Sequence, residues 1–484
     1  MSAGQAATKE LLQRADALRE RLGTTVHDRV TASAYAEAAR TANAAVSHTG
    51  APRFAWEDRL DRVVTSRWVG IPFMILLLAG VFYMTINGAN IPSALLAGLL
   101  IEEGGLAGWL ETYLGVQQTP WILSHSVYDV LHAAFAWAPA FLTGFLIDGV
   151  WLGLGWVIAV MLPPMAIFFP LFTLMEDLGL LPRIAFNMDR FFRAAGAHGK
   201  QALTMAMGFG CNAAGVVACR IIDSPRERLI AILTNNFVPC NGRWPTLIMV
   251  SSLFVAANFS PGWASLVSVG AITGVTLLGI GMTLAVSFFL SRTMLKGVAS
   301  SFQLELPPYR KPQLGKIVYR SLIDRTLFVL WRAMLCAAPA GGLIWLLGAI
   351  QVGDSSLFAY LSGALDPIGH AIGLDGVILI AYIFAIPANE IVVPTIIMGY
   401  LNTTRMVELE NPAQLFVENG WTMTTAVCLL LFCLLHNPCT TTTMTIYKET
   451  GSVKWTVLSN LIPLTVAVAC CGIAAAVMRG MGIG

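Results

Sequence analysis

The sequence predicts an all-α, polytopic transmembrane helical bundle containing broken or re-entrant helices. Three observations carry that prediction. Of the 484 residues, 56% are hydrophobic and only 12% charged, against about 25% charged in a soluble domain. Apolar runs of spanning length recur from Val69 almost to the C-terminus. The scarce charge is gathered in an N-terminal arm, in the region Glu176 to Arg228 and in the stretch 292–325. This composition excludes a disordered chain and a disulfide-stapled module, and a net charge of +2 gives no footing for a nucleic-acid partner.

Residues 1–67 form a polar arm. Ala7–Leu22 places Leu11, Leu12, Ala15, Leu18 and Leu22 on one helical face with charges opposite, and a second Ala-rich helix runs from Val26 to Val46, where Gly50-Ala51-Pro52 breaks it. No cleavable signal precedes the first apolar run. Candidate spans lie near 69–87, 130–147, 150–175, 229–257, 264–290, 327–350, 374–400, 421–437 and 455–478, since a crossing needs about 20 residues. Segment 92–115 carries Glu102, Glu103 and Glu111 and is expected to lie at an interface. Arg53, Arg59, Arg62 and Arg67 before the first span, and Arg292, Lys296, Arg310, Lys311, Lys316, Arg320 and Arg325 in the middle stretch, assign both to the cytoplasm by the positive-inside rule. The crossings between them must then be even in number, so one run is re-entrant or broken.

Interruptions fall at Pro163-Pro164 with Pro170, at Gly208-Phe209-Gly210, at Pro387 and at Pro438. Freed backbone at membrane depth survives only where it lines a cavity or is buried in protein. In each half a Gly/Pro break beside a polar residue is followed by a Pro-Cys pair, Pro239-Cys240 and then Pro438-Cys439. That is a weak internal symmetry of the kind paired transporter repeats show.

Ionisable groups at membrane depth are functional candidates by default. Glu390 follows Pro387 inside an apolar segment with Asn389 beside it, and Glu176 and Asp177 end the run that begins at Val150. Cys211 sits between Gly208-Phe209-Gly210 and Asn212, Cys240 is followed by Asn241 and Arg243, and Cys439 leads into Thr440 to Thr443. Thiolate, imidazole and carboxylate together suit a borderline metal such as Fe(II). Against this stands ordinary packing, because free cysteine is among the most buried residue types. Cys219, Cys336, Cys428, Cys433, Cys470 and Cys471 are assigned to packing. His436, two residues before Pro438, is the best imidazole candidate, whereas His125 and His132 are expected at a membrane surface. No closed structural metal spacing is present. Nor is there a P-loop, since Gly199-Lys200 has Ala194 at the required glycine position and Gln201 after it.

At Gly208-Phe209-Gly210-Cys211-Asn212 the chain resembles the membrane part of the ferrous iron transport protein B (FeoB) family. The likeness continues in order through Asp61-Arg62-Val63-Val64-Thr65 with Gly70-Ile71-Pro72, Met175-Glu176-Asp177-Leu178-Gly179 with Arg183-Ile184-Ala185-Phe186 and Met188-Asp189-Arg190, Pro239 to Pro245, Glu305 to Arg310, and Pro438-Cys439 through Lys448-Glu449-Thr450-Gly451. The resemblance implies two Gate-type repeats around an Fe(II) pathway with Cys211, Cys240 and Cys439 on it and Glu176 as acidic partner. It further implies a cytoplasmic-membrane permease subunit that binds no nucleotide itself, works with a separate GTPase and with a small FeoA-like protein, and admits a homo-oligomer. The corresponding division is an arm (1–67), a first span with an interfacial helix (68–147), a first repeat (148–291), a linker (292–325) and a second repeat (326–484). Departures are Ala213-Ala214 where the family has Val-Pro, Asn389 where it has lysine, and Asn241-Gly242 beside Cys240. Rival readings are a Gate-type carrier of a nucleoside-like solute and a non-transporting scaffold docked through residues 1–67. No nucleophile–base pattern supports an enzyme.

Overall fold

Apolar segments that lack water to solvate their backbone must close every N–H on their own carbonyls, and the α-helix does so within one segment. The computed structural model describes residues 14, 17, 25–45, 61–66, 68–103, 105–107, 124–255, 260–297, 312–353, 355–407, 409 and 412–482, and these are overwhelmingly helical. Two short strands, Gln351–Val352 and Ser355–Ser356, pair antiparallel in one turn. The arm contributes α1 (Thr25–Ala45). The expected helix Ala7–Leu22, the basic residues Arg53, Arg59 and Arg67, and Glu111 lie outside the described residues, as does Glu305 to Arg310.

Helix α2 (Gly70–Leu100) is the first span. It runs straight through Pro92, so the first half of the segment expected at an interface completes the crossing instead, and Glu102 and Glu103 follow its end. After α3 (Val127–Ala134), the expected spans 130–147 and 150–175 prove to be parts of one helix, α4 (Ala140–Asp177). Pro163, Pro164 and Pro170 all lie inside it, so they do not break the chain. Packed neighbours satisfy what a proline frees. Trp151 Nε1 of α4 donates to the carbonyl of Leu100 at 2.9 Å, fixing α4 antiparallel to α2.

The amphipathic α5 (Leu180–Ala194) lies across the end of α4. Next come α6 (Gln201–Gly210) and α7 (Asn212–Ala218), which meet at Cys211. Lys200 Nζ donates to the carbonyl of Ile221 at 2.9 Å and pairs with Asp223 at 2.8 Å, so this hairpin begins and ends on one side. The expected span 229–257 is α8 (Pro225–Thr234) and α9 (Trp244–Val250) with an opened stretch between them. Helix α10 (Pro261–Arg292) returns to the starting side, where Arg226 donates to the carbonyl of Leu295. The α6–α7 hairpin thus enters and turns back rather than crossing.

The second half repeats the plan. Helix α11 (Leu314–Ala349) is followed by α12 (Leu357–Ala371) and by the pair α13 (Gly376–Phe384) and α14 (Val392–Leu401), which replace the expected span 374–400. Tyr400 donates to Asp375, which closes the open end of this hairpin as Lys200 closes the first. After α15 (Ala413–Glu418), helices α16 (Met423–Leu435) and α17 (Thr440–Thr450) are separated at Pro438, and α18 (Val453–Gly480) ends the bundle. Among the described residues six helical stretches are long and apolar enough to cross a membrane, or seven if the bent pair α12–α13 is one span.

The halves are related by inversion. Thr173 of α4 lies against Ser321 and Arg325 of α11, while Gly144 of α4 faces Trp345 near its other end, so the two lead helices run antiparallel. Midway, a Cβ on Gly153 would stand 3.0 Å from the Cα of Gly341, and one on Gly149 3.0 Å from the Cα of Gly342. Only glycine allows backbones this close. The outer helices present apolar side chains outward: α18, with a mean hydropathy of 2.4, is 22% buried. That is the exposure expected of a lipid-facing helix.

Candidate transport site

Four interruptions meet at the centre. Each is a place where a helix ends, the chain extends for one to several residues and a new helical turn begins: at Cys211, at Val238 to Cys240, at Ala388 and at His436 to Cys439. New N-termini therefore start at Asn212, Asn241, Asn389 and Thr440. Thr440 N–H donates to the carbonyl of Ile386 at 2.9 Å, tying the last break to the second hairpin.

Around these tips closes a cavity of about 30 Å³ lined by Cys211, Asn212, Cys240, Asn241, Glu390 and Cys439, with Met161 and Met165 of α4 among its other walls. Residues 228 positions apart in sequence, Cys211 and Cys439, thus share one small chamber. Gly242 is where Glu390 approaches closest, since a Cβ there would collide with the carboxylate. Cys439 Sγ lies 3.3 Å from the hydroxyl of Thr442. Among the described residues no group of three His, Cys, Asp or Glu side chains is already drawn into metal-holding geometry. The donors line a shared space rather than a preassembled shell.

Two expected residues sit elsewhere. His436 is buried behind the wall, its Nδ1 donating to the carbonyls of Phe432 at 3.0 Å and Cys433 at 2.9 Å and its Nε2 3.4 Å from Asn389 Oδ1. It lies beside Asn389 and does not line the chamber. Glu176 lies in a larger cavity of about 800 Å³ beside α7 and α17, where it pairs with Arg325 at 3.4 Å. It is therefore no partner of the cysteines. Thr441 lines both cavities and is the side chain at their boundary.

Arg243 is the residue whose importance the sequence concealed. Only 1% exposed, it donates to the carbonyls of Asn236 and Leu434 at 2.8 Å each, of His436 at 3.1 Å and of Asn437 at 3.3 Å, and to Asn236 Oδ1 at 3.2 Å. Three of those carbonyls belong to the broken C-terminal end of α16, where a cation is electrostatically favoured. Asn236 completes the link by donating to the carbonyl of His436 at 2.6 Å. One guanidinium thereby fastens the break of one repeat to the break of the other. The asparagine pair Asn235-Asn236 inside an apolar run was the available signal.

The Gate family, described as nucleoside recognition, matches residues 158–254 and 330–453, the segments that contain all four interruptions. The family described as ferrous iron transport protein B C terminus matches residues 272–324. Curated relatives carry the same assignment. The Fe(2+) transporter FeoB of Staphylococcus aureus (strain MSSA476) is 28% identical over 422 residues, 85% of this chain and 58% of that protein. This chain is similar to the ferrous iron transport protein B family over most of its length. The FeoB of a Synechocystis strain is 27% identical over 84% of the chain and 67% of its own length. A fusion of Fe(2+) transport protein A with FeoB from Porphyromonas gingivalis is 25% identical over 85% of the chain and 50% of its own length. The chain spans about 58% of the length of the first of these relatives. Among solved structures, one described as CNTnw in an inward-facing substrate-bound state aligns over 88% of this chain and 99% of that chain, at 15% identity and a TM-score of 0.37.

Two of the FeoB-like motifs that are distant in sequence meet in space. Arg183, 1% exposed, clasps Asp61 through two hydrogen bonds of 3.0 and 3.1 Å. Asn187 Nδ2 adds a bond to the carbonyl of Val64 at 2.9 Å. The approach to α2 is therefore docked on α5 by a bidentate pair, the strong form of such contacts.

Proposed function

We propose that this FeoB-like chain is the permease that carries Fe(II) across the cytoplasmic membrane, with Cys211, Cys240, Cys439 and Glu390 contacting the ion in passage. The observation that carries the reading is the convergence of three thiols and a carboxylate, from all four helix breaks, on an ion-sized chamber. Soft and borderline divalent metals take such donors. A chamber of about 30 Å³ is an order of magnitude below the pockets that hold small organic ligands, about 300 Å³ and upward. This disfavours passage of a nucleoside through the constriction in this state. Asn212 and Asn389 also line the chamber, with His436 behind Asn389.

In this reading the wide cavity holding Glu176 and Glu449 faces the cytoplasm. Lys200, Arg220, Arg226, Arg292, Lys296 and Arg325 gather at that end, whereas the other end holds Glu102, Glu103, Asp129 and Asp148, with Arg405 paired to Glu103. That asymmetry is the positive-inside pattern, and it supports an arm on the cytoplasmic side. The functional unit is then the repeats 148–291 and 326–484 joined by the linker 292–325. The chain is not itself an enzyme. Its coupling partner is a GTPase, and the fused relative supports a FeoA-like protein as a second one. The test is metal-resolved uptake by proteoliposomes under reducing conditions. Fe(II) flux above that of empty vesicles, lowered by Cys211→Ser and by Cys439→Ser, supports the proposal. Flux unchanged in the double variant overturns the role of the thiols, and nucleoside flux without metal dependence overturns the whole reading.

A further inference from the structure

Beside the chamber two amide oxygens are left over, and the surrounding hydrogen bonds fix which atoms they are. Arg243 can only donate, so the Asn236 atom it meets is Oδ1, and Asn236 Nδ2 turns to the carbonyl of His436. The Asn212 atom facing Asn236 Oδ1 at 3.3 Å must then be Nδ2. Asn235 Nδ2 in turn donates to the backbone carbonyl of Asn212 at 3.1 Å. This leaves Asn212 Oδ1 and Asn235 Oδ1, both buried, with no hydrogen-bond donor. The residues are 4% and 1% exposed.

These two oxygens face one point. A Cβ built on Gly208 would stand 3.0 Å from Asn235 Oδ1 and 3.3 Å from Asn212 Oδ1, with Asn235 Nδ2, already engaged, also at 3.3 Å. Gly208 lies in the last turn of α6, whose C-terminal carbonyls give that end a partial negative charge. Two buried acceptors of this kind are costly if nothing satisfies them. Both free acceptors are neutral amide oxygens, and no thiol or carboxylate is among the three nearest atoms to that point. Such a set suits an ion whose dehydration is modest, and divalent ions in oxygen sites normally recruit carboxylates.

We propose that Asn212 and Asn235, at the tip of the first hairpin beside Gly208, bind a monovalent cation of the sodium class. The site bridges the hairpin and α8, so occupancy locks the tip that carries Cys211 against the broken helix that carries Cys240. If the chain carries Fe(II) as proposed above, this is a coupling-ion site. The binding itself does not depend on that reading.

The experiment measures thermal unfolding of the purified full chain in detergent, in sodium, potassium and choline chloride at equal ionic strength, with no iron present. A ligand that binds only the folded form raises the melting temperature in a saturable way. Sodium is expected to raise it relative to choline. Gly208→Ala, which puts a methyl between the oxygens, and Asn235→Ala should abolish that shift. Asn235→Asp adds a charge to the ligand set and should lower the half-saturating sodium concentration by about tenfold or more. Identical melting of the unsubstituted chain in all three salts overturns the proposal and leaves a bridging water as occupant. A sodium shift that survives unchanged in both Gly208→Ala and Asn235→Ala overturns the placement. No iron flux is read, so failure of the transport assignment would leave these outcomes unaffected.

Discussion

Arg220 and Glu449, 229 residues apart, close a bidentate ion pair of 2.8 and 2.7 Å between the end of the first hairpin and the end of α17. Both line the wide cavity. The pair thus ties the two halves beside the wide cavity at the basic end. Because Arg220 is largely exposed, its loss should change global stability by less than about 1 kcal/mol. Arg220→Glu is expected to reduce Fe(II) uptake several-fold with little change in melting temperature, and the charge-swapped Arg220→Glu, Glu449→Arg double variant should restore it. Uptake equal in the single and double variants would remove any role for the pair in the cycle.

The chamber predicts a particular inhibitor. Cadmium prefers thiolates more strongly than Fe(II) does, so low concentrations should block Fe(II) flux. Each of Cys211→Ser, Cys240→Ser and Cys439→Ser should weaken that block by at least about tenfold, the value of one lost strong ligand. Cys428→Ser should not, because Cys428 and Cys471 exchange sulfur–carbonyl contacts between α16 and α18, away from the chamber. Equal block of all variants would place cadmium elsewhere.

Removing the central clasp should be costly. Arg243→Gln strips several carbonyls of their donor, at about 1–3 kcal/mol for each acceptor left buried and unpaired. We expect a marked fall in melting temperature and loss of flux. Arg243→Lys should recover part of the stability, having the charge without the planar fork. Full activity in Arg243→Gln would mean that the two breaks hold together without it.

Near the basic end, His198 is 5% exposed, and burial holds its imidazole below the ordinary value of 6.5, with Lys200 acting in the same direction and Glu227, Asp189 and Asp223 opposing. The group stays neutral when folded and gains a proton when unfolded. Its stabilisation is therefore complete above 6.5 and is lost as pH falls through the depressed folded value. Melting temperature should decline on acidification below pH 6.5, and His198→Gln should flatten that decline. An unchanged slope in His198→Gln would assign the acid sensitivity to other groups. Asp189, raised chiefly by burial, titrates with the opposite sign, since its effect is full below the ordinary carboxylate value and fades as pH rises through the raised one.

Much of this arrangement could be read from residue order. Pro and Gly punctuation beside polar residues located the breaks at Cys211, Pro387 and Pro438, since backbone freed at depth needs a polar neighbour. The same rule misfired at Pro163-Pro164, where α4 continues because packing replaces the lost bonds. Hydropathy could not separate 229–257 from a straight span, because a broken helix buried inside protein is as apolar as an intact one facing lipid. Glu176 was misplaced for a related reason: position at the end of a run says how deep a residue lies, not which cavity it faces. Arg243 was hidden because its partners are carbonyls, which leave no side-chain signature.

The glycine crossing of α4 and α11 gives a final test. A Cβ on Gly341 would collide with the carbonyl oxygen of Gly149 and come within 3.1 Å of the Cα of Gly153. Gly341→Ala should cost about 1–3 kcal/mol through overpacking, read as a lower melting temperature. An unaltered melting curve would show that the lead helices can part without penalty.

That crossing has a mechanical meaning as well. Elsewhere in the molecule neighbours are keyed by side chains, such as Tyr382 of α13 against Phe432 of α16, and to slide them would require repacking. Where Gly149 and Gly153 pass Gly341 and Gly342 there are no teeth to disengage. Backbone lies on backbone, like a plain bearing between two halves that face opposite ways. A rocking of one half on the other would meet its least friction there, about two turns of α4 away from Met161, which walls the ion-sized chamber.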